Sequence, residues 1–453
     1  RKQHGEGFIS YCTITTIAES PVKKGVIWCG TDDGCVQITQ DEGKTWTNVV
    51  KNIKGLPLHI WCSRIEASHF DVGTAYASFD GHQTDDYEPY VFKTTDFGKT
   101  WKPTKGNLPF GWVRVVREDL KNKNLLFVGT EFGIFASLDG GIGWFSLKNN
   151  LPTVTVYDIA IHPRTNDLII GTHGRGVWIM DDISFLQEMT PEVLAKDSHL
   201  FGVSPASAVY MSSIRDPFSR PGFAGKNRPF GLTITIYTKA EPKEQPKAIV
   251  TDAQGRLVFE TKFLKKAGLQ RFTWNLMFVP EKDGKKITPP SAVGVLFPLA
   301  SPGEYTVTLE VDGLKSQAKT AVAPDPRLAL KEDDRNLRND TVARTMIVTQ
   351  KMALAVTASR NLRDQIPKLD EGLKKAATPS DSLAKAAKAF TEKAGALADE
   401  VIPKELLSLN SRELSLRGGS INQILMSLGN SLAGYPGPPT LSLIHISEPT
   451  RPY

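Results

Sequence analysis

The sequence predicts a mainly β protein: a partial β-propeller of about four blades, an Ig-like β-sandwich and a C-terminal α-helical region. Three observations predict it. A two-strand unit recurs four times, its ends 42 to 51 residues apart. A turn sequence recurs three times between those units. After residue 184 the repeat gives way first to period-two alternation and then to helical spacing.

The two-strand unit reads "TTIAESPVKKGVIWCGT" (15–31), "SRIEASHFDVGTAYASF" (63–79), "VRVVREDLKNKNLLFVGT" (113–130) and "VYDIAIHPRTNDLIIGT" (156–172). Each copy is an apolar strand, a polar turn and a second apolar strand ending in Gly-Thr or Ser-Phe. The first three copies continue into a third strand and then "TQDEGKTW" (39–46), "TTDFGKTW" (94–101) or "SLDGGIGW" (137–144). "GLP" (55–57), "NLP" (107–109) and "NLP" (150–152) lead into the next copy. Four short strands in each 40 to 50 residues is the arithmetic of a propeller blade.

The turn pattern, Ser/Thr-x-Asp-x-Gly-x-x-Trp, resembles the Asp-box (BNR) repeat of sialidases, sortilin-type receptors and xyloglucanase-type tandem-propeller glycosidases. The chain through about residue 440 resembles large secreted bacterial proteins described as sortilin-like or glycosyl-hydrolase-like. Within it, "GTHGRGVWIMDD" (171–182) resembles the segment that closes their propeller. The resemblance implies a secreted or periplasmic protein that binds a ligand or hydrolyses glycosides. The chain opens on Arg1 and carries four blades where propellers usually have six to eight, so further blades are expected upstream. "LSLIHISEPTR" (441–451) resembles a translated sequencing adapter, and 441–453 is expected to be a non-native tail.

The blades are expected to occupy 1–184 and a linker rich in Ser, Pro and Arg 185–225. The sandwich is expected over 226–325, where Leu232, Ile234 and Ile236 alternate with threonines and Tyr305, Val307, Leu309 and Val311 repeat the pattern. "AIVTDAQGRLVF" between them reads as a hairpin. In 329–440, Val342, Met346, Ala353 and Val356 share a helical face, and Pro367 and Pro403 are expected breaks.

A net charge of +6 in 453 residues, without a dense basic block, gives no argument for nucleic acid. No apolar run is long enough to span a membrane as a helix. Cys12, Cys29, Cys35 and Cys62 fit no zinc pattern. Cys29 and Cys35 either face each other across a hairpin as a disulfide or, as the reading favours, fill slots held by Val128, Ile134, Ile170 and Val177 in later copies.

Asp96 has the look of a catalytic carboxylate, but three blades repeat it, and catalysis needs an acid once. Asp41, Asp96 and Asp139, with Gly43, Gly98 and Gly141 and with Trp46, Trp101 and Trp144, are therefore read as turn fasteners. Ligands are expected on the opposite face, at the strand 2–3 turns. The longest of these carries Asp80, His82, Asp85, Asp86, Tyr87 and Glu88, a loop for Ca²⁺ or a solvated polar loop. His173 and Arg175 either contact an anionic ligand or brace the last blade. Arg64 and Arg114 are read at matching first-strand positions, which with Arg175 gives the arginines of a sialidase-like grip. Trp61, Trp112 and Tyr87 are candidate aromatic platforms. No catalytic residue is assigned. The expected function is glycan or protein binding through that face. The alternative is a fragment of a xyloglucanase- or sialidase-like hydrolase that needs further blades.

Overall fold

The computed structural model describes residues 12–208, 228–278, 281–282, 285–286, 298–375 and 381–401. The expected break at Pro403 and the tail at 441–453 lie outside these residues. So do the side chains of Ala353 and Val356. The chain divides into two units, Arg1–Gly202 and Val203–Tyr453.

The first unit holds four antiparallel meanders. The first is β1 (Ile14–Glu19), β2 (Ile27–Thr31), β3 (Val36–Thr39) and β4 (Thr47–Asn48), and the second is β5 (Trp61–Ala67), β6 (Ala75–Asp80), β7 (Tyr90–Thr94) and β8 (Lys102–Pro103). The third is β9 (Val113–Glu118), β10 (Leu126–Thr130), β11 (Gly133–Ser137) and β12 (Phe145–Ser146), and the last has three strands, β13 (Val156–Ile161), β14 (Leu168–Thr172) and β15 (Val177–Met180). The protein is mainly β and these sheets are propeller blades, packed face to face with β1, β5, β9 and β13 innermost.

Alternation along each strand makes this packing. Trp28, Val36 and Ile38 leave the first blade on one face and enter a core with Ile65, Ala77, Phe79 and Trp101 of the second. Tyr76 and Val91 leave the second and meet Val113, Val116, Val128 and Trp144 of the third. The Gly of the Gly-Thr ending has a steric cause. A Cβ on Gly30 would lie 2.5 Å from Cys62 Sγ, and one on Gly129 would lie 2.8 Å from the Val156 carbonyl oxygen. The inner strand of the next blade passes too close for a side chain.

The three repeated turns make the same bonds. Thr39, Thr94 and Ser137 each donate a hydroxyl to Asp41, Asp96 and Asp139 at 2.8, 2.9 and 2.7 Å. Each hydroxyl in turn accepts from the amide of Gly43, Gly98 or Gly141 at 2.8 to 3.0 Å. Those glycines lie at φ of 88°, 80° and 95°, where a Cβ is strained. The Thr45 hydroxyl, 2.6 Å from Asp41, holds that carboxyl down at about 2, and the Thr100 hydroxyl lowers Asp96 likewise. Burial opposes the same effect at Asp139, where the Gly143 amide prevails and its pKa is still lowered. Trp101 and Trp144 are 7% and 5% exposed between blades, whereas Trp46, on the outer face of the first blade, is 41% exposed.

Two expectations change in this unit, the linker and the slot given to Cys35, while Cys29, opposite Ile17, does fill the slot of Val128 and Ile170. The stretch expected as linker carries α1 (Ser184–Glu188), α2 (Pro191–Ala195) and β16 (Ser198–Leu200). Helix α1 is bonded to the third blade: Asn122 Nδ2 donates to the Gln187 carbonyl and Gln187 Nε2 to Asp119, both at 2.9 Å. All four cysteines are free thiols. Cys29 is opposite Gln37, not Cys35, and the slot shared with Ile134 and Val177 belongs to Val36, which pairs with Gly30 as they pair with Gly129 and Gly171.

In the second unit, β17 (Ala206–Ala208) is an edge of a five-stranded sheet with β19 (Lys247–Asp252), β20 (Leu257–Lys262), β24 (Gly303–Val311) and β25 (Leu314–Pro324). β18 (Leu232–Thr238) pairs with β21 (Gly268–Trp274), and β22 (Glu281–Lys282) with β23 (Lys285–Lys286). Phe259 stacks on Phe272 and Trp274, and Trp274 meets Tyr305 edge-on, so the two larger sheets share an aromatic core. Helix α3 (Glu332–Lys374) buries Val342 and Met346 and is followed by α4 (Asp381–Val401). α3 continues through Pro367, where a break was expected: proline removes one backbone bond, and the flanking turns keep theirs.

Candidate functional site

The blades share a defect that sequence spacing does not reveal. In each, the pairing of strands 1 and 2 slips by one residue at the same place, leaving an unpaired residue on strand 1. The registers break between Ile14 and Thr16, Cys62 and Arg64, Val113 and Val115, and Val156 and Asp158. The extra residues are Thr15, Ser63, Arg114 and Tyr157. A bulge of this kind re-aims one side chain out of the alternation.

Two of the four bulge residues have structural partners. Thr15 donates its hydroxyl to the Cys62 carbonyl at 2.7 Å, and Ser63 donates to the Val113 carbonyl at 2.9 Å. Each therefore stitches its blade to the inner strand of the next. Arg114 and Tyr157 depart from this. The Arg114 guanidinium lies 3.9 Å from the Trp61 ring and 4.8 Å from the Tyr157 ring, with a cation against each aromatic face. The register also corrects the expected equivalence of Arg64 and Arg114. Arg64 pairs with Ser78 as Val115 pairs with Gly129, so Arg64 matches Val115, and Arg114 matches Ser63.

Asp80 sits under this arrangement with a fully buried carboxylate. Its Oδ2 accepts from Arg114 Nη1 at 3.2 Å, and its Oδ1 accepts from the His82 amide at 3.1 Å and from His82 Nδ1 at 2.6 Å. A carboxylate accepts, so His82 donates this bond from Nδ1. His82 stacks on Trp112 at 4.9 Å, Trp112 meets Tyr157 edge-on at 6.4 Å, and Tyr157 stacks on His173 at 5.0 Å. Asp80, His82, Arg114 and His173, expected from sequence, are thereby brought together with Trp61 and Trp112. Tyr157, which sequence reasoning missed, joins them. Only the register slip places it as the fourth member of the series Thr15, Ser63, Arg114, Tyr157.

One layer along the inner strands, Arg64 Nη2 reaches Asp158 at 2.6 Å. β5 and β13 belong to blades separated by a third, so this contact shows the inner strands curving around a common axis. Arg117 completes the layer, bonding Glu66, Asp158 and the Ile159 carbonyl. Behind it, buried Glu118 accepts from Ser68, Tyr76 and the His69 amide, yet burial still raises its pKa.

The remaining candidates disperse. Asp86 accepts from Tyr90 and the Glu88 amide, Glu88 pairs with Lys105 at 3.0 Å, and Asp85 caps the 3₁₀ turn His82–Thr84 with a φ of 58°. Tyr87 lies against Phe110. The carboxylates of this loop thus face different partners. Among the described residues, no three His, Cys, Asp or Glu are grouped to hold a metal ion. Arg175 is exposed, and its backbone carbonyl accepts from Trp178 Nε1 at 3.0 Å. The three arginines of a sialidase-like grip are not brought together either: Arg64 bonds Asp158, one layer along from Arg114, which bonds Asp80.

These features define a β-propeller chain with a polar and aromatic cluster on its strand 2–3 face. No protein-family model and no curated protein matches the chain. Among solved structures it is similar to YCF48 bound to D1 peptide, at 14% identity, over 68% of this chain and 82% of that one, with a TM-score of 0.29. It is also similar to the GH74 xyloglucanase from Xanthomonas campestris, at 12% identity, over 68% of this chain and 45% of that one, with a TM-score of 0.32. The GH74 enzyme of Niastella koreensis matches at 11% identity, over 68% and 46% of the two chains, with a TM-score of 0.31. The chain thus spans under half the length of either GH74 structure. Among the described residues, no helix is long and apolar enough to cross a membrane.

Proposed function

We propose that this chain is a secreted or periplasmic binding module that takes a glycan or protein ligand on its strand 2–3 face. The observation that carries the reading is the use of the bulge position. Two blades spend it on a hydroxyl stitch, and the adjoining two spend it on Arg114 and Tyr157, which meet over buried Asp80. Burying a carboxylate to hold an arginine and a histidine in place is costly for a structural seal, and it suits a surface that must be rigid before a ligand arrives. Tyr157, at 38% exposure, and the outer ring of His173 give a ligand an aromatic platform.

Binding accounts for the cluster better than hydrolysis does. A glycoside hydrolase needs two carboxylates flanking a bond, one of them able to give or take a proton. Asp80, the carboxylate at the centre, has both oxygens committed to Arg114 and His82. The test is a screen of the purified chain on glycan and peptide arrays beside Tyr157→Ala. The reading expects a ligand that the wild type retains and Tyr157→Ala loses at unchanged melting temperature. Retention by the variant of every ligand found would overturn it.

A further inference from the structure

Resting on that reading, we infer that the ligand is an acidic glycan whose hexuronate carboxylate meets Arg114 while its sugar ring lies on His173, which Tyr157 supports from behind. The inference comes from the balance of donors and acceptors. At its centre the acceptors are occupied, since the Asp80 oxygens take Arg114, the His82 amide and His82 Nδ1. The donors are in surplus. Among the described residues, Arg114 spends Nη1 on Asp80 and makes no further hydrogen bond to protein, which leaves the edge formed by Nη2 and Nε. Trp61 Nε1 and Arg64 Nε are buried without a partner.

An open guanidinium edge favours a ligand that brings acceptors, and a planar carboxylate matches the fork of a guanidinium held between the Trp61 and Tyr157 rings. The outer face of His173, whose other face stacks on Tyr157, adds a flat surface beside the fork. A hexuronate carries both complements on one ring, a carboxylate and a flat C–H face. An acidic peptide offers the carboxylate without the rigid flat face.

The experiment titrates trigalacturonate, the neutral trisaccharide cellotriose and a tri-glutamate peptide into the full chain by calorimetry, with Arg114→Lys and Tyr157→Ala as variants. Arg114→Lys keeps the charge and loses the fork, and circular dichroism checks that both variants fold. Expected are binding of trigalacturonate over both other probes, weakening by roughly 10- to 100-fold in Arg114→Lys, and weakening as salt rises from 50 to 200 mM. Equal binding of cellotriose, or a trigalacturonate affinity unchanged in Arg114→Lys, overturns the inference and leaves the binding face standing if Tyr157→Ala still loses the ligand. Preference for tri-glutamate overturns the glycan class. If no probe binds, the hexuronate inference falls, and the array screen decides the wider reading independently.

Discussion

Replacing Asp96 with Ala removes one acceptor group from three donors at once. Asp96 Oδ1 takes the Thr94 hydroxyl and the Thr100 amide, both at 2.9 Å, and Oδ2 takes the Thr100 hydroxyl at 2.6 Å. The turn they close holds Phe97 at a φ of 61° and Gly98 at 80°, so without the carboxylate two left-handed residues lose their support. Thr100 is exposed, and water replaces part of what it loses. The net cost should therefore resemble loss of a helix cap, about 1 to 2 kcal/mol. In a unit of this size that lowers the melting temperature by roughly 3 to 6 °C. Urea unfolding followed by tryptophan fluorescence should show an earlier midpoint at an unchanged slope. Ligand binding below the transition should persist. An Asp96→Ala chain that melts with the wild type but has lost its ligand would refute the fastening role and return Asp96 to the list of functional groups.

The same architecture yields further expectations. Trp101→Ala should cost about 3 to 5 kcal/mol, because the ring is buried edge-on against Trp28, while Trp46→Ala on the outer face should cost about 1 kcal/mol or less; paired melts separate them. Ser63→Ala removes the stitch to the Val113 carbonyl and should cost about 1 kcal/mol in urea, without changing ligand affinity. Asp80→Ala leaves the Arg114 guanidinium without its buried counter-charge and should cost about 3 kcal/mol together with the binding site, as read by melting and calorimetry. Asp41, Asp96 and Asp139 ionise more readily folded than unfolded. Their contribution is complete above about pH 4 and is lost as pH falls through the folded values, about 2 for Asp41. An Asp-to-Asn variant at all three should flatten the acid limb of a stability profile, and an unchanged limb would contradict the assignment.

The blades were legible because one physical problem is solved repeatedly with the same residues. A tight left-handed turn needs Gly98, an acceptor needs Asp96, and a gap between sheets needs Trp101, so three copies betray the architecture. The cluster was half legible. Asp80, His82 and His173 stood out as polar residues on the variable turns and Arg114 as a first-strand arginine, but Tyr157 did not, because it sits inside an apolar strand where alternation points it elsewhere. The bulge changes its direction, and a one-residue slip in pairing leaves no trace in composition. The same slip is why Arg64 and Arg114 looked equivalent. Helices α1 and α2 were read as linker because five residues are too few to show a helical period. Pro367 was read as a break because local propensity weighs one residue, while α3 is held by the turns on both sides.

The central claim is that the bulge residues divide into stitches and ligand contacts. The direct measurement is ligand affinity by calorimetry in four single variants, Thr15→Ala, Ser63→Ala, Arg114→Lys and Tyr157→Phe, each with its own melting curve. The account predicts that the first two melt earlier and bind normally, and that Arg114→Lys binds at least tenfold more weakly with little change in melting. Tyr157→Phe keeps the ring and should bind nearly as the wild type. Normal binding by Arg114→Lys, or weakened binding by Thr15→Ala or Ser63→Ala to the same degree, would contradict the division and with it the proposed site.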